Sequence, residues 1–139
     1  MHVIGICNLT VKSNIMKKVI ATEGAPKAVG PYSQAIEVNG TLYISGQIPV
    51  NPADGKVQED IAAAAHQSLK NIGAILEEAG MTYDNVVKTT VLLADIADFK
   101  AVNEVYAEYF TGDKPARACY QAAALPLGVK VEIEAIAVR

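Results

Sequence analysis

Arg117 is the only charge in the run Ala116-Arg117-Ala118-Cys119-Tyr120-Gln121-Ala122-Ala123, and the later apolar stretch Val131 to Val138 carries only Glu132 and Glu134. Both stretches read as strands, and a charge inside a strand raises the free energy unless it has a partner. A guanidinium is always ionised, and its planar fork matches a carboxylate through two parallel hydrogen bonds. Two outcomes are open. Either Arg117 is neutralised within the chain by Glu132 or Glu134, or it meets an anionic ligand at a cleft.

The remaining reactive residues exclude several chemistries. His2 lies near the start of the chain, and His66 falls on the polar side of a helical pattern with Lys70 and Glu77, so no Ser-His-Asp or Cys-His arrangement is in prospect. Cys7 and Cys119 have neither metal-site spacing nor partners for a disulfide framework. No Gly-rich turn opens a helix as a dinucleotide or phosphate site requires. A site that works with no cofactor and no metal is the expectation. Two islands of uncharged polar residues bounded by turn formers stand out beside the Arg117 segment: Gly30-Pro31-Tyr32-Ser33-Gln34 and Ser45-Gly46-Gln47-Ile48-Pro49. Each also has a plain structural reading. The Gly and Pro residues can simply make turns, Tyr32 can be a half-buried packing residue, and Cys119 can be an inert small hydrophobe.

The elements that must position these residues follow from periodicity. Lys17 to Ala21 reads as a short strand, and Ser33 to Val38 and Thr41 to Ser45 flank Asn39-Gly40, a strong hairpin signal. Gly46 through Gly55, with Pro49, Asn51-Pro52 and Asp54-Gly55, is expected to be loop. From Asp60 to Ala79 the stripe Ile61, Ala65, Leu69, Ile72, Leu76 and Ala79 predicts a helix that Gly80 ends. Asn85 to Leu93 reads as a buried strand, about Ala97 to Phe110 as a second helix on the stripe Phe99, Val102, Tyr106 and Phe110, and Ala116 to Ala123 and Lys130 to Val138 as the last two strands. The order βββ-α-β-α-ββ fits an α+β layer, a mixed sheet with two helices on one face.

Composition bounds the rest. At 139 residues, 51% hydrophobic and 19% charged, the chain has the make-up of one compact domain rather than a disordered polymer. Its net charge of −3 argues against nucleic acid binding over the whole surface. No apolar run approaches a membrane span, and the cysteine usage suits a reduced, cytoplasmic setting. Residues 1–15 lack the n-region and apolar core of a signal peptide and read as an N-terminal extension to a domain over residues 16–139.

In chain order, Gly30-Pro31-Tyr32-Ser33-Gln34-Ala35, Ile44-Ser45-Gly46-Gln47-Ile48-Pro49-Val50, Pro115-Ala116-Arg117-Ala118-Cys119 and Val131-Glu132-Ile133-Glu134-Ala135-Ile136-Ala137-Val138 closely resemble the signature segments of the RidA (YjgF) family of enamine/imine deaminases. Lys88-Thr89-Thr90-Val91 and the helix of Phe99, Asn103 and Tyr106 look like the family too, so the resemblance runs from about Met16 to Arg139. It implies a chorismate-mutase-like α+β domain that forms a homotrimer with three clefts between subunits. It also implies that Arg117 grips a substrate carboxylate and that the backbone at Cys119, rather than its thiol, contacts the ligand. Glu132 would position the attacking water, and Tyr32, Ser45 and Gly46 would line the cleft. Glu134 shares a strand face with Glu132 by alternation. Tyr120-Gln121 varies among relatives, and residues 1–15 have no counterpart.

The implied reaction is cofactor-free hydrolysis of 2-imino acids such as 2-iminobutanoate, 2-iminopropanoate and those derived from 2-aminoacrylate, to 2-keto acids and ammonia. Imines hydrolyse unaided, so positioning and one base suffice. A trimer that binds 2-keto acids without turnover is the alternative. RNA cleavage, associated with some family members, is disfavoured by the acidic pI and the absence of a catalytic His pair.

Overall fold

The computed structural model describes residues 16–139, so the extension expected at residues 1–15 lies outside the described residues. The hairpin forms where Asn39-Gly40 predicts it: Asn39 and Gly40 both have positive φ, 51° and 79°, as a tight type I′ turn requires. Around it run β1 (Lys18–Ile20), β2 (Ala35–Val38) and β3 (Thr41–Gln47), each antiparallel to the next. After α1 (Ile61–Glu78) come β4 (Val86–Leu93), α2 (Phe99–Tyr109), β5 (Ala116–Gln121) and β6 (Val131–Val138). The six strands form one sheet in the order β1-β2-β3-β6-β4-β5, with only the β4–β5 pair parallel. The α+β architecture and element order therefore match the sequence reading.

α1 starts at Asp60, whose carboxylate accepts from the Ala63 N–H at 3.0 Å, and stops before Gly80 at φ +71°. Ala65, Leu69, Ile72, Leu76 and Ala79 of its stripe are buried, with Ile61 at the margin. They pack on Leu42 and Ile44 of β3, Val91 and Leu93 of β4, and Val131, Ile133, Ala135 and Ala137 of β6. Alternation then sends the intervening residues to the other side of the sheet. There Tyr43 is 49% exposed and Tyr120 53%, and among the described residues no helix covers them.

Two expectations need correction. β3 does not stop at Ser45. It continues to Gln47 through a β-bulge between Ile44 and Gln47, so Gly46 is a strand residue rather than the start of a loop. The bulge absorbs one extra residue while Ile44 and Gln47 both stay buried. The other is the adjacency of the Arg117 and Glu132 strands that neutralisation by either glutamate would need: β4 lies between β5 and β6. No helix among the described residues is long and apolar enough to cross a membrane.

Candidate active site

Glu132 enters the open face of the sheet from β6, opposite Leu92 on β4. Its carboxylate lies across β3 at the bulge. A Cβ added at Gly46 would stand 2.9 Å from Glu132 Cδ and closer still to Oε1, so only glycine leaves room for it. Burial pushes the Glu132 carboxyl above the usual carboxylate range, and the like charge of Glu134 adds to this. Glu132 and Glu134 line a cleft of about 530 Å3 with Tyr32, Ser45, Gly46 and Leu127. Ser45 Oγ donates to Ser33 O at 2.5 Å, which commits its hydrogen and leaves its lone pairs to accept from a ligand.

The polar islands divide between site and scaffold. Gln34 is buried: it accepts from the Thr22 N–H at 2.7 Å and donates to the carbonyls of Thr22, Ala25 and Pro26 at 3.0, 3.2 and 2.8 Å. It fixes the segment leading to Tyr32. Asn71 does the same for Ile48 and Val50, donating to their carbonyls at 3.3 and 3.0 Å from inside α1. Ile48 is thereby held at the rim of the cleft.

Arg117 lies elsewhere. It is in register with Thr89 of β4, and Cys119 with Val91, so both side chains point to the helix-bearing side of the sheet. Glu132 and Glu134, in register with Leu92 and Thr90, point to the other. Among the described residues Arg117 makes no ion pair. Of the two outcomes open from sequence, neutralisation within the chain is ruled out. Its guanidinium carbon instead sits 4.8 Å from the ring centroid of Tyr106 and 5.5 Å from that of Phe99.

Among the described residues β5 is an edge strand, with ladder partners for half of its backbone groups only. The Ala122 N–H donates to Leu93 O at 2.8 Å. By alternation the N–H and C=O groups of Arg117, Cys119 and Gln121 face outward from the edge. Burial pushes the Cys119 thiol up, against the opposing effect of the Arg117 charge, so the thiol stays protonated and poorly nucleophilic.

One chain therefore brings Tyr32, Ser45, Gly46 and Glu132 together, and Arg117 with the Cys119 backbone at a separate edge. The two aromatic rings under the guanidinium were not singled out as site residues by the sequence reading. The signal for them was the seven-residue separation of Phe99 and Tyr106, two helical turns on one face of α2. Among the described residues no three His, Cys, Asp or Glu side chains gather as a metal site requires.

A family model described as Endoribonuclease L-PSP matches residues 22–139. The chain is 58% identical over 128 residues to the Mus musculus protein named 2-iminobutanoate/2-iminopropanoate deaminase, a match covering 91% of this chain and 95% of that one. The solved structure of the YjgF gene product from Escherichia coli superposes with a TM-score of 0.86 at 51% identity, covering 88% of this chain and 98% of that one. E. coli TdcF with bound serine gives a TM-score of 0.86 at 44% identity, again over 88% and 98% of the two chains.

Proposed function

Since this chain belongs to the Endoribonuclease L-PSP family, which includes the YjgF protein, we propose that it is an imine deaminase that converts 2-imino acids to 2-keto acids and ammonia. The observation that carries the reading is an Arg117 guanidinium that has no carboxylate partner among the described residues, alongside a partly desolvated Glu132 in a cleft. A 2-imino acid supplies the missing partner for each: a carboxylate for Arg117 and an electrophilic carbon for a water held by Glu132.

In the proposed reaction the Arg117 fork binds the substrate carboxylate through charge-assisted hydrogen bonds. The outward backbone groups at Cys119 orient the imine nitrogen. Glu132 takes a proton from water as its oxygen adds to the C=N carbon. Glu132 returns that proton to the nitrogen, giving the carbinolamine. As its C–N bond breaks and the C=O bond forms, the hydroxyl proton passes by way of Glu132 to the nitrogen, which leaves as ammonia. Glu132 suits this role because its raised pKa makes it a stronger base than an exposed carboxylate. The chemistry needs only water and proton transfer, with Tyr32, Ser45 and Gly46 shaping the cleft. The serine bound by TdcF also carries a carboxylate beside a nitrogen, which favours this substrate class.

We further read the site as shared between copies of the chain. Arg117 and Glu132 face opposite sides of one sheet, and a small molecule cannot meet both within a single protomer. Among the described residues Tyr43 and Tyr120 are uncovered and the β5 edge is unpaired, and these are the surfaces a second copy would cover. A ring of three copies with sites at its interfaces, working in a reducing cytoplasmic setting, is the assembly proposed.

The test is release of keto acid from 2-iminopropanoate and 2-iminobutanoate generated in situ by an amino-acid oxidase. Acceleration by the protein that is lost in Arg117→Ala and Glu132→Gln is expected. Full activity of Arg117→Ala would refute the mechanism, and no acceleration by a folded protein that binds 2-keto acids would favour the non-catalytic binding role.

A further inference from the structure

Arg117 is an ionised side chain beside the core, and among the described residues no carboxylate holds it. A free guanidinium on a three-carbon stem samples many rotamers, and each one lost on ligand binding weakens affinity. The structure offers another restraint. Thr89 and Arg117 are register partners on β4 and β5. Thr89 is fully buried, and its hydroxyl bonds the Tyr106 hydroxyl at 2.7 Å. The Tyr106 ring, packed against Phe110 with 4.5 Å between centroids, lies 4.8 Å from the Arg117 guanidinium carbon. Strand register, hydrogen bond and ring contact close a triangle of three residues.

Phe99 makes the second contact and is the more telling one. It opens α2 directly after a 3₁₀ turn, Ile96–Asp98, and stays 40% exposed although its stripe predicts burial with Val102, Tyr106 and Phe110. Core packing does not account for that position, whereas the guanidinium 5.5 Å from its ring does. An aromatic face attracts a cation without using its hydrogen-bond donors. A glutamate in the same place would occupy the fork and cancel the charge. The two rings hold the cation and leave its in-plane N–H groups free.

We propose that Phe99 and Tyr106 are positioning residues that orient Arg117, uncompensated, toward the carboxylate of the substrate. The inference rests on the reading of Arg117 given under Proposed function, so its test separates the two. Binding of 2-oxobutanoate is measured by calorimetry in the wild type, Arg117→Ala, Phe99→Leu, Phe99→Leu with Arg117→Ala, Tyr106→Phe and Tyr106→Leu, with kcat followed in parallel. Phe99 is exposed, so Phe99→Leu keeps the fold even if Tyr106→Leu, inside the core, does not. Phe99→Leu is expected to weaken Kd about five- to tenfold in the wild-type background. It leaves kcat within about twofold and has no effect once Arg117 is absent. Tyr106→Phe, which keeps the ring, retains wild-type affinity to within about threefold. An unchanged Kd in Phe99→Leu, or an equal loss with and without Arg117, would overturn the positioning role. An unchanged Kd in Arg117→Ala would instead overturn the reading of Arg117 itself.

Discussion

The Glu132 carboxylate occupies the space that a side chain at residue 46 would fill, and Gly46 sits in a strand bulge without a positive φ. Glycine is required there for close approach rather than for backbone freedom. Gly46→Ala therefore leaves the fold intact and pushes Glu132 aside. We expect a fall in kcat on the order of 100-fold, since small displacements of a catalytic group have effects of that size. The far-ultraviolet circular dichroism spectrum stays unchanged. Wild-type turnover in Gly46→Ala would show that Glu132 does not act from this position.

Glu132 also sets a pH dependence whose sign follows from its environment. Burial and then the Glu134 charge raise its pKa. As the proposed base Glu132 must be ionised, so activity is expected to fall as pH drops through this raised value, above the ordinary carboxylate range. Removing the neighbouring charge lowers the pKa, so the acid limb of the rate profile of Glu134→Gln moves to lower pH.

Stability responds to the same group in the opposite sense. A carboxyl with a raised folded pKa contributes stability below its unfolded value and loses that contribution as pH rises through the folded one. Ionised Glu132 thus weakens the fold at neutral pH. Glu132→Gln should raise Tm there by about 1–4 °C while abolishing turnover, and thermal melts of the two proteins converge at acid pH. A lower Tm for Glu132→Gln at neutral pH would contradict the account of its burial.

Gln34 tests the scaffold. Its side chain satisfies the backbone at Thr22, Ala25 and Pro26, on the segment that leads to Tyr32. Gln34→Ala leaves those groups without partners and should lower stability by about 1–3 kcal/mol in urea unfolding. Ligand affinity falls with it, because the Tyr32 wall of the cleft is no longer held.

Much of this architecture was legible in the residues. Asn39-Gly40, the α1 stripe with Asp60 and Gly80 at its ends, and the alternation of β6 each combine a local cue with a burial pattern that agrees with it. Gly46 was not legible as a strand residue, because a bulge and a loop entry share the same local composition and only the opposing strand distinguishes them. The separation of Arg117 from Glu132 was hidden for another reason. β5 and β6 are consecutive strands in the chain, which suggests neighbours, yet β6 inserts between β3 and β4. That insertion fixes which face each charge meets, and it depends on long-range pairing that no local pattern encodes. Gln34 and Gln47 belong to the two polar islands, and only their burial separates them from the cleft-lining residues beside them.

In the proposed assembly Arg117 of one copy and Glu132 of another act on the same substrate molecule. The most direct test is subunit mixing. Arg117→Ala and Glu132→Gln are purified separately, each inactive, then unfolded together in equal amounts, refolded, and assayed for keto-acid release. In a ring with shared sites, random assembly restores about a quarter of the wild-type activity, because each intact site needs one donor of each kind. A refolded mixture with no more activity than its parents would contradict the shared site and assign both residues to a single chain.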